Sequence, residues 1–295
     1  MNRLTVFGEV LFDCFPSGEK ILGGAPFNVA WHLQAFGQQP HFVSRVGEDE
    51  EGRAIRRAMQ SWGMDIRGLQ SDRQHATGQV QVSLEHGEPS YDIVDRVAYD
   101  FIQASELQAH PCRMLYHGSL GLRNQVSRKA LESLRQAYSP TVFLDVNLRS
   151  PWWRRSEVLE WVGQADWVKL NEKELALLLE PGADAKEAAD EFVQRHGLQG
   201  LVVTRGASGA SLLMRDQAAL DVAPVEALQV VDTVGAGDAL ASVLLLGLSQ
   251  GWPMRRTLER AQQFASAMVG QRGATVDLAD FYRPFIQAWD LAGVE

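Results

Sequence analysis

Cysteine is nearly missing from this chain: Cys14 and Cys112 are the only two in 295 residues. Two thiols cannot build a four-ligand zinc site, and the seven histidines show no His-Glu-x-x-His spacing, so no structural metal is expected. Such sparse thiols read as free and buried, kept in a reducing compartment. Long hydrophobic runs are lacking too. The longest falls far short of a membrane span, and Met1 to Glu9 has no basic segment followed by an apolar core, so a cytoplasmic location is expected. Positive charge is in deficit: 28 Lys and Arg face 37 Asp and Glu, for a net charge of -9, with the two signs interspersed. Without a basic face to displace counterions, neither nucleic acid nor an anionic membrane is an expected partner, although a local basic pocket for phosphate is compatible with this balance. Familiar nucleotide signatures are also absent. There is no Gly-x-x-x-x-Gly-Lys-Ser/Thr loop and no His-Arg-Asp kinase motif, and a dinucleotide fingerprint begun at Gly235 fails at Leu240.

What is present is an ordinary globular composition, 45% hydrophobic and 22% charged, in a regular alternation. Short apolar runs, Leu4 to Phe7, His41 to Val46, Met114 to His117, Val142 to Val146, Trp167 to Leu170 and Leu201 to Thr204, have the length of buried strands. Between them lie amphipathic stretches such as Phe27 to Phe36, Gly52 to Trp62, Ser127 to Tyr138, Ala185 to His196 and Met254 to Val269. This rhythm predicts a parallel sheet with helices on both faces and ligands at the carboxyl ends of its strands. One segment departs from it. Gly78 to Glu85 alternates apolar and polar residues, turns at His86-Gly87-Glu88-Pro89 and returns through Tyr91 to Val97, a two-stranded ribbon suited to a lid or a dimer contact, or serving as decoration.

The most informative stretch is Asp232-Thr233-Val234-Gly235-Ala236-Gly237-Asp238, which opens into the apolar run Leu240 to Leu248. Small residues let the backbone approach a ligand, and the first amides of a helix have no internal partners, so this is an anion cradle. An acid at its lip would repel a phosphate unless it takes a proton from an attacking hydroxyl. The plainer reading makes Asp238 a first-turn acid satisfying the helix dipole. Three further segments sit at predicted strand ends. Asp13 with Gly23, Gly24 and Asn28 suits a polyol, or else a turn and a helix start. Asp145-Val146-Asn147-Leu148-Arg149 and Lys169-Leu170-Asn171-Glu172-Lys173-Glu174 bring acid, amide and base together, as water-bound Mg²⁺ and phosphate require; Asn171 and Glu174 equally fit a capping box, and both roles can coexist. Thr204-Arg205-Gly206-Ala207-Ser208-Gly209 reads as a nucleotide loop or a glycine turn between two strands.

Together, Gly23-Gly24-Ala25-Pro26-x-Asn28-x-Ala30, Asp145-x-Asn147-x-Arg149, Asn171-Glu172-x-Glu174, Thr204-x-Gly206-x-x-Gly209 and the Asp232 to Asp238 motif resemble the ribokinase-like (pfkB-type) carbohydrate kinases, from about residue 4 to residue 275. The resemblance implies a single domain over 1-295, a three-layer α/β/α fold with a mostly parallel central sheet, and a small β-lid drawn from about 10-22 and 76-100. It implies ATP and a small-molecule sugar as ligands and Mg²⁺ as cofactor, while the ribbon itself offers a contact for a homodimer through the lid. Carried over by position, Asp238 is the base and Gly235, Ala236 and Gly237 form the anion hole. Asp13, Gly23, Gly24, Asn28 and Arg149 fall on the sugar side, and Asn171 and Glu174 place Mg²⁺ through water. Thr204, Gly206, Gly209 and, flanking adenine, Gly273 and Ala274 fall on the nucleotide side, and Asp232 on a K⁺ site.

Within that family, Pro26 in the glycine loop and Asp145-x-Asn147-x-Arg149 followed by Pro151 and Trp153 look most like fructokinases. Ribokinases typically have Lys in the first loop and an acid where this chain has His117-Gly118-Ser119. The expected reaction is phosphorylation of fructose to fructose 6-phosphate. The alternatives are 2-keto-3-deoxygluconate, ribose or a nucleoside-like sugar as acceptor, a non-catalytic sugar or nucleotide sensor, and a dinucleotide oxidoreductase.

Overall fold

The structure, a computed structural model, describes residues 4–85, 88–180, 185–224 and 230–291. Along the chain, β1 (Leu4–Phe7), β2 (Leu11–Cys14) and β3 (Lys20–Gly23) precede α1 (Ala25–Ala35), followed by β4 (His41–Gly47), α2 (Glu50–Ser61) and β5 (Leu69–Asp72). After the pair β6 (Gly78–Glu85) and β7 (Glu88–Ile93) come β8 (Met114–His117), α3 (Gln125–Tyr138), β9 (Thr141–Asp145), α4 (Arg155–Val162), β10 (Trp167–Asn171), α5 (Glu172–Leu178), α6 (Ala185–His196) and β11 (Gly200–Thr204). β12 (Ala210–Leu213) and β13 (Leu220–Val222) lead to α7 (Ala236–Gln250), α8 (Met254–Met268) and α9 (Ala279–Ala288).

Among the described residues the main sheet runs β13-β12-β11-β10-β9-β8-β1-β4-β5, and only β12 and β13 are antiparallel to their neighbours. Strand side chains alternate between faces, so one strand feeds two cores. Val6, Tyr116, Phe143 and Trp167 pack with α1, α7 and α8 on one face. Phe7, Leu115, Leu144 and Val168 pack with α3, α4 and α6 on the other. Burial on both faces explains why these strands read as continuous apolar runs. α7 is buried along Ala239 to Gly247 because it lies between α1 and α8, which accounts for its lack of a polar face. The result is the expected three-layer α/β/α fold. No described helix is long and apolar enough to cross a membrane.

The ribbon is part of something larger. β6 pairs with β7, but also in parallel with β2, and β2 with β3, giving a second sheet of order β3-β2-β6-β7. Its return strand begins at Glu88, so Glu88 and Pro89, assigned to the turn from sequence, lie in β7; His86 and Gly87 are outside the described residues. Proline is tolerated there because β7 is an edge strand with no further partner to supply. Leu11, Val80, Ile93, Val97, Tyr99 and Leu120 form a small core beneath this sheet. At its root Arg123 grips Asp100 with two nitrogens, at 2.6 and 2.8 Å, while its guanidinium lies 4.4 Å from the centre of the Trp152 ring. Side-chain exposure of this pair is only 4% and 1%.

Removing one member of a buried ion pair strands the other charge, which typically costs about 3–5 kcal/mol. Arg123→Ala should therefore lower the free energy of unfolding by that amount in a urea titration, whereas an exposed change such as Arg73→Ala should leave it within about 0.5 kcal/mol.

Candidate active site

Parallel pairing aligns the carboxyl ends of β1, β8, β9, β10 and β11 along one edge of the main sheet. Over that edge sits the small sheet, and between them opens a cleft of about 590 Å³. Asp13, Leu11, Val80, Tyr91 and Ile93 line it from the small sheet, Gly24 and Asn28 from the start of α1, and Gly235, Gly237 and Asp238 from the start of α7. Asn147, Arg149, Asn171, Glu174 and Thr204 complete the floor. Residues far apart in sequence are thus brought to one cavity.

The start of α7 is set by Gly235, whose φ of 80° is left-handed and whose position leaves no room for a side chain: a Cβ there would lie 2.5 Å from Ala274. The amides of Gly237 and Asp238 fall in the first turn, where helices leave donors unpaired, and that of Ala236 reaches back weakly to the Thr233 carbonyl at 3.4 Å. Asp238 stands on this same turn. Its Oδ2 accepts a hydrogen bond from Asn28 Nδ2 at 2.8 Å. The carboxyl reaches the cleft but is otherwise enclosed by protein, so poor hydration pushes its pKa up to about 6; the Asn28 bond, Lys169 and Arg149 counter that rise, and Asp145 adds to it.

Beneath the helix start lies a buried pair whose members the sequence placed at two strand ends without pairing them. Lys169 and Asp145 are direct partners in the β10–β9 register, on the sheet face covered by α7, and Lys169 Nζ touches both Asp145 oxygens at 2.8 and 2.9 Å. Tyr116 donates its hydroxyl to Asp145 Oδ2 at 3.2 Å. Burial alone would push the Lys169 ammonium down, but Asp145 outweighs it and the pKa is held above the ordinary lysine range. A Cβ on Gly237 would lie 3.5 Å from Nζ, so this cation sits directly behind the anion cradle. A lysine within the otherwise apolar run Trp167 to Leu170 was the available signal, since a charge in a doubly covered strand needs a partner.

The other expected residues can be placed individually. Gly23 lies between Asp13 and Asn28; a Cβ there would be 3.9 Å from Asp13 Oδ2 and from Asn28 Oδ1. Burial raises the Asp13 pKa, and Arg149 opposes it. Arg149 is exposed at the cleft rim. Asn171 and Glu174 form the capping box of α5: Asn171 Oδ1 accepts from the Glu174 amide at 2.9 Å, and Glu174 Oε2 from the Asn171 amide at 2.8 Å. Glu174 Oε1 also accepts from the Leu148 amide at 2.8 Å, tying the β9 loop to α5. Thr204, Gly206 and Gly209 border a second, mainly apolar cavity of about 730 Å³, with Val230, Leu240 and Val269 opposite. Asn171, Thr204, Thr233 and Gly237 line both cavities, which therefore adjoin. The walls supplied by Val230 and α8 were not foreseen, because scattered small and apolar positions carry no motif.

Gly273 and Ala274 border neither cavity among the described residues. Ala274 instead backs directly against Gly235, and Asp232 joins the two loops by accepting from the Val234 amide at 2.9 Å and the Gly273 amide at 3.1 Å. Glu9, not singled out from sequence, lines the cleft at 2% exposure.

A doubly covered parallel sheet with a polar cleft at its carboxyl edge, a helix start aimed into that cleft and an enclosed carboxylate on the same turn defines a phosphoryl-transfer class of α/β protein. The chain belongs to the pfkB family of carbohydrate kinases, whose description matches residues 7–280. Among its relatives, the fructokinase of Klebsiella pneumoniae is 32% identical over 264 residues, covering 84% of this chain and 85% of the relative. A fructokinase double mutant from Vibrio cholerae O395, solved with fructose, ADP and potassium ion, superposes with a TM-score of 0.82 at 28% identity, covering 96% and 98% of the two chains. Aminoimidazole riboside kinase from Salmonella enterica, solved with aminoimidazole riboside and an ATP analog, gives 0.82 at 27% identity, covering 97% and 100%.

The enclosed carboxylate has a stability cost with a definite pH signature. An unfolded chain releases the Asp238 proton near 3.8 and the folded protein near 6, so between these values the native state binds more protons and stability falls as pH rises. Asp238→Asn should accordingly stabilise the protein by about 1–3 kcal/mol at pH 8, with the gain vanishing near pH 4, as read by chemical denaturation at both pH values.

Proposed function

We propose that this protein is an ATP-dependent sugar kinase, a single kinase domain in which Asp238 is the general base and fructose the acceptor. The observation that carries this reading is the position of Asp238: its carboxylate, fixed by Asn28, shares a helix turn with the amides of the anion cradle. A sugar held by Asp13, Gly23, Gly24, Asn28 and Arg149 would present its primary hydroxyl to Asp238, while the triphosphate extends over Gly235 to Gly237 toward the apolar cavity beside Thr204, Gly206 and Gly209. As the acceptor oxygen bonds to the γ-phosphorus, its proton passes to Asp238 and the bond to the β-phosphate oxygen breaks, leaving ADP. Lys169 and the helix start stabilise the charge that develops on the phosphoryl oxygens.

The donors on the β10 side, Asn171 and Glu174, are oxygens suited to a hard cation that keeps its water, and these residues would hold Mg²⁺ through water. Bound there, Mg²⁺ supplies charge neutralisation to the phosphates. Asp232, behind the cradle, would contribute an oxygen to K⁺. The fructose, nucleotide and potassium of the Vibrio cholerae complex support this assignment by likeness. The small sheet is read as a lid and as a homodimer contact, with Tyr91, 54% exposed on its edge strand, available to a second copy. Both cysteines are free, in keeping with a reducing cytoplasm.

Purified protein given ATP, Mg²⁺ and fructose should release ADP in a coupled assay. Fructose binding without ADP release would instead identify a sensor, and preferred turnover of aminoimidazole riboside or 2-keto-3-deoxygluconate would move the acceptor assignment. Asp238→Asn should retain sugar affinity within a few-fold while kcat drops by about 10²–10⁴. In the wild type kcat/KM should fall below about pH 6, where the base takes up a proton.

A further inference from the structure

One buried group in the cleft is left unused by this mechanism. Glu9 follows β1 and lies in the wall between the sugar-side residues and Asp238. Its slot is shaped for it: a Cβ on Gly121 would lie 2.9 Å from the Gly8 Cα and 3.2 Å from Glu9 Oε2, so any larger residue at position 121 would press on the carboxyl. Although Glu9 is almost wholly buried, its carboxyl finds no side-chain partner among the described residues; the amides of Glu9 and Gly121 approach it, but its Oε2 makes no well-formed hydrogen bond. Asn28 Oδ1, on the same side of the cleft, is likewise without one. Buried polar atoms are nearly always paired, and two orphans beside one cavity mark a place where a polar ligand completes the set.

Burial pushes the Glu9 carboxyl up to about 7, with Asp238 adding to the rise and the amides of Glu9 and Gly121 opposing it. A carboxyl that is substantially protonated near neutral pH can both donate and accept, and a sugar hydroxyl also does both.

We propose that Glu9 is a specificity-determining residue: its carboxyl pairs with an acceptor hydroxyl other than the one phosphorylated. This rests on the assignment of the cleft as a sugar site, though not on fructose being the sugar. An acceptor lacking that hydroxyl leaves the carboxyl unpaired in a dry wall, so selectivity arises from the penalty on the wrong substrate as much as from the bond to the right one.

The test measures kcat/KM for the preferred acceptor and for its analogues that each lack one non-reacting hydroxyl, in the wild type, Glu9→Gln and Glu9→Ala. In the wild type one analogue should lose about ten- to a hundredfold. Glu9→Gln, which keeps a donor and an acceptor in the same shape, should retain most of that penalty. Glu9→Ala should lose activity on the parent sugar while the same analogue becomes about as good as the parent, within about threefold, so the penalty collapses. A purely structural role would lower activity on every acceptor by a common factor, and an unchanged penalty in Glu9→Ala would overturn the proposal. So would a wild type indifferent to every deletion. If Glu9→Ala does not fold, Glu9→Leu and Glu9→Met replace it under the same criteria, and should none fold, a penalty equally large in Gly121→Ala, which displaces the carboxyl, would overturn it. A wild type that turns over another sugar but not fructose refutes the acceptor assignment alone, and the analogues of that sugar then test Glu9.

Discussion

The hydrogen bond from Asn28 to Asp238 joins the two halves of this protein's site. Asn28 lies in the first turn of α1 and Asp238 in the first turn of α7, 210 residues later, and the two helices pack against each other on one face of the sheet. In the proposed reading one loop supplies groups for a polyol and the other the amides for an anion, and neither can shift without moving its partner. A displacement near 1 Å at a reacting centre can cost about a hundredfold in rate, and a side-chain bond anchored on two rigid helix starts limits such displacement. The bond also has an electrostatic consequence: it offsets part of the burial that raises the Asp238 pKa, leaving the base ionised at neutral pH yet only about one unit below it.

Charge placement around that bond follows a consistent plan. A triphosphate is strongly anionic, and the cleft already contains Glu9, Asp13, Asp145, Glu174 and Asp238. Burial and pairing temper the repulsion among these acids. Burial raises the pKa of Glu9, Asp13, Glu174 and Asp238, and Asp145 is neutralised by Lys169. The Lys169 ammonium, held by Asp145, is fixed in place behind the cradle, and in the proposed mechanism its charge stabilisation needs little reorganisation. Enclosing acids in this way lowers stability, which is the usual consequence of building a site for chemistry.

Much of this was legible in the sequence, because strand ends in a parallel sheet collect ligands and the motifs at Asp13, Asn28, Arg149, Asn171, Thr204 and Asp238 each followed an apolar run or opened a helix. The sheet order brings them to one cleft through pairings that local patterns do not contain. β5 and β13 were missed because Leu69-Gln70-Ser71-Asp72 and Leu220-Asp221-Val222 are short, polar edge strands with one neighbour each. That residues 10-22 join the ribbon in one small sheet came from the family resemblance and not from the residue pattern, because the central pairing, β2 with β6, is a parallel contact between segments more than sixty residues apart. Glu9 was overlooked, and Lys169 was noted without its partner Asp145, for a related reason: a charge in or just after an apolar strand gains meaning only once the face it occupies and the neighbour opposite are known.

The small sheet illustrates how unevenly such a contact-built element is held. At its root, the buried Arg123–Asp100 pair, the stacked Trp152 and the core around Tyr99 tie it to the loops after β7 and β8. At its tip, the β2–β3 turn is joined to the rest by Glu19 with Arg272 and Lys20 with Glu51, both largely exposed. Exposed ion pairs add little to stability and are screened by salt, whereas the buried pair cannot be broken without stranding a charge. Any opening of the cleft therefore breaks the tip contacts first and leaves the root in place. The tip contact is also informative in its choice of partner, since Arg272 adjoins Gly273, whose amide is held by Asp232 at the back of the anion cradle. The small sheet over the cleft and the loop behind the helix start are thus neighbours through two consecutive residues, Arg272 and Gly273.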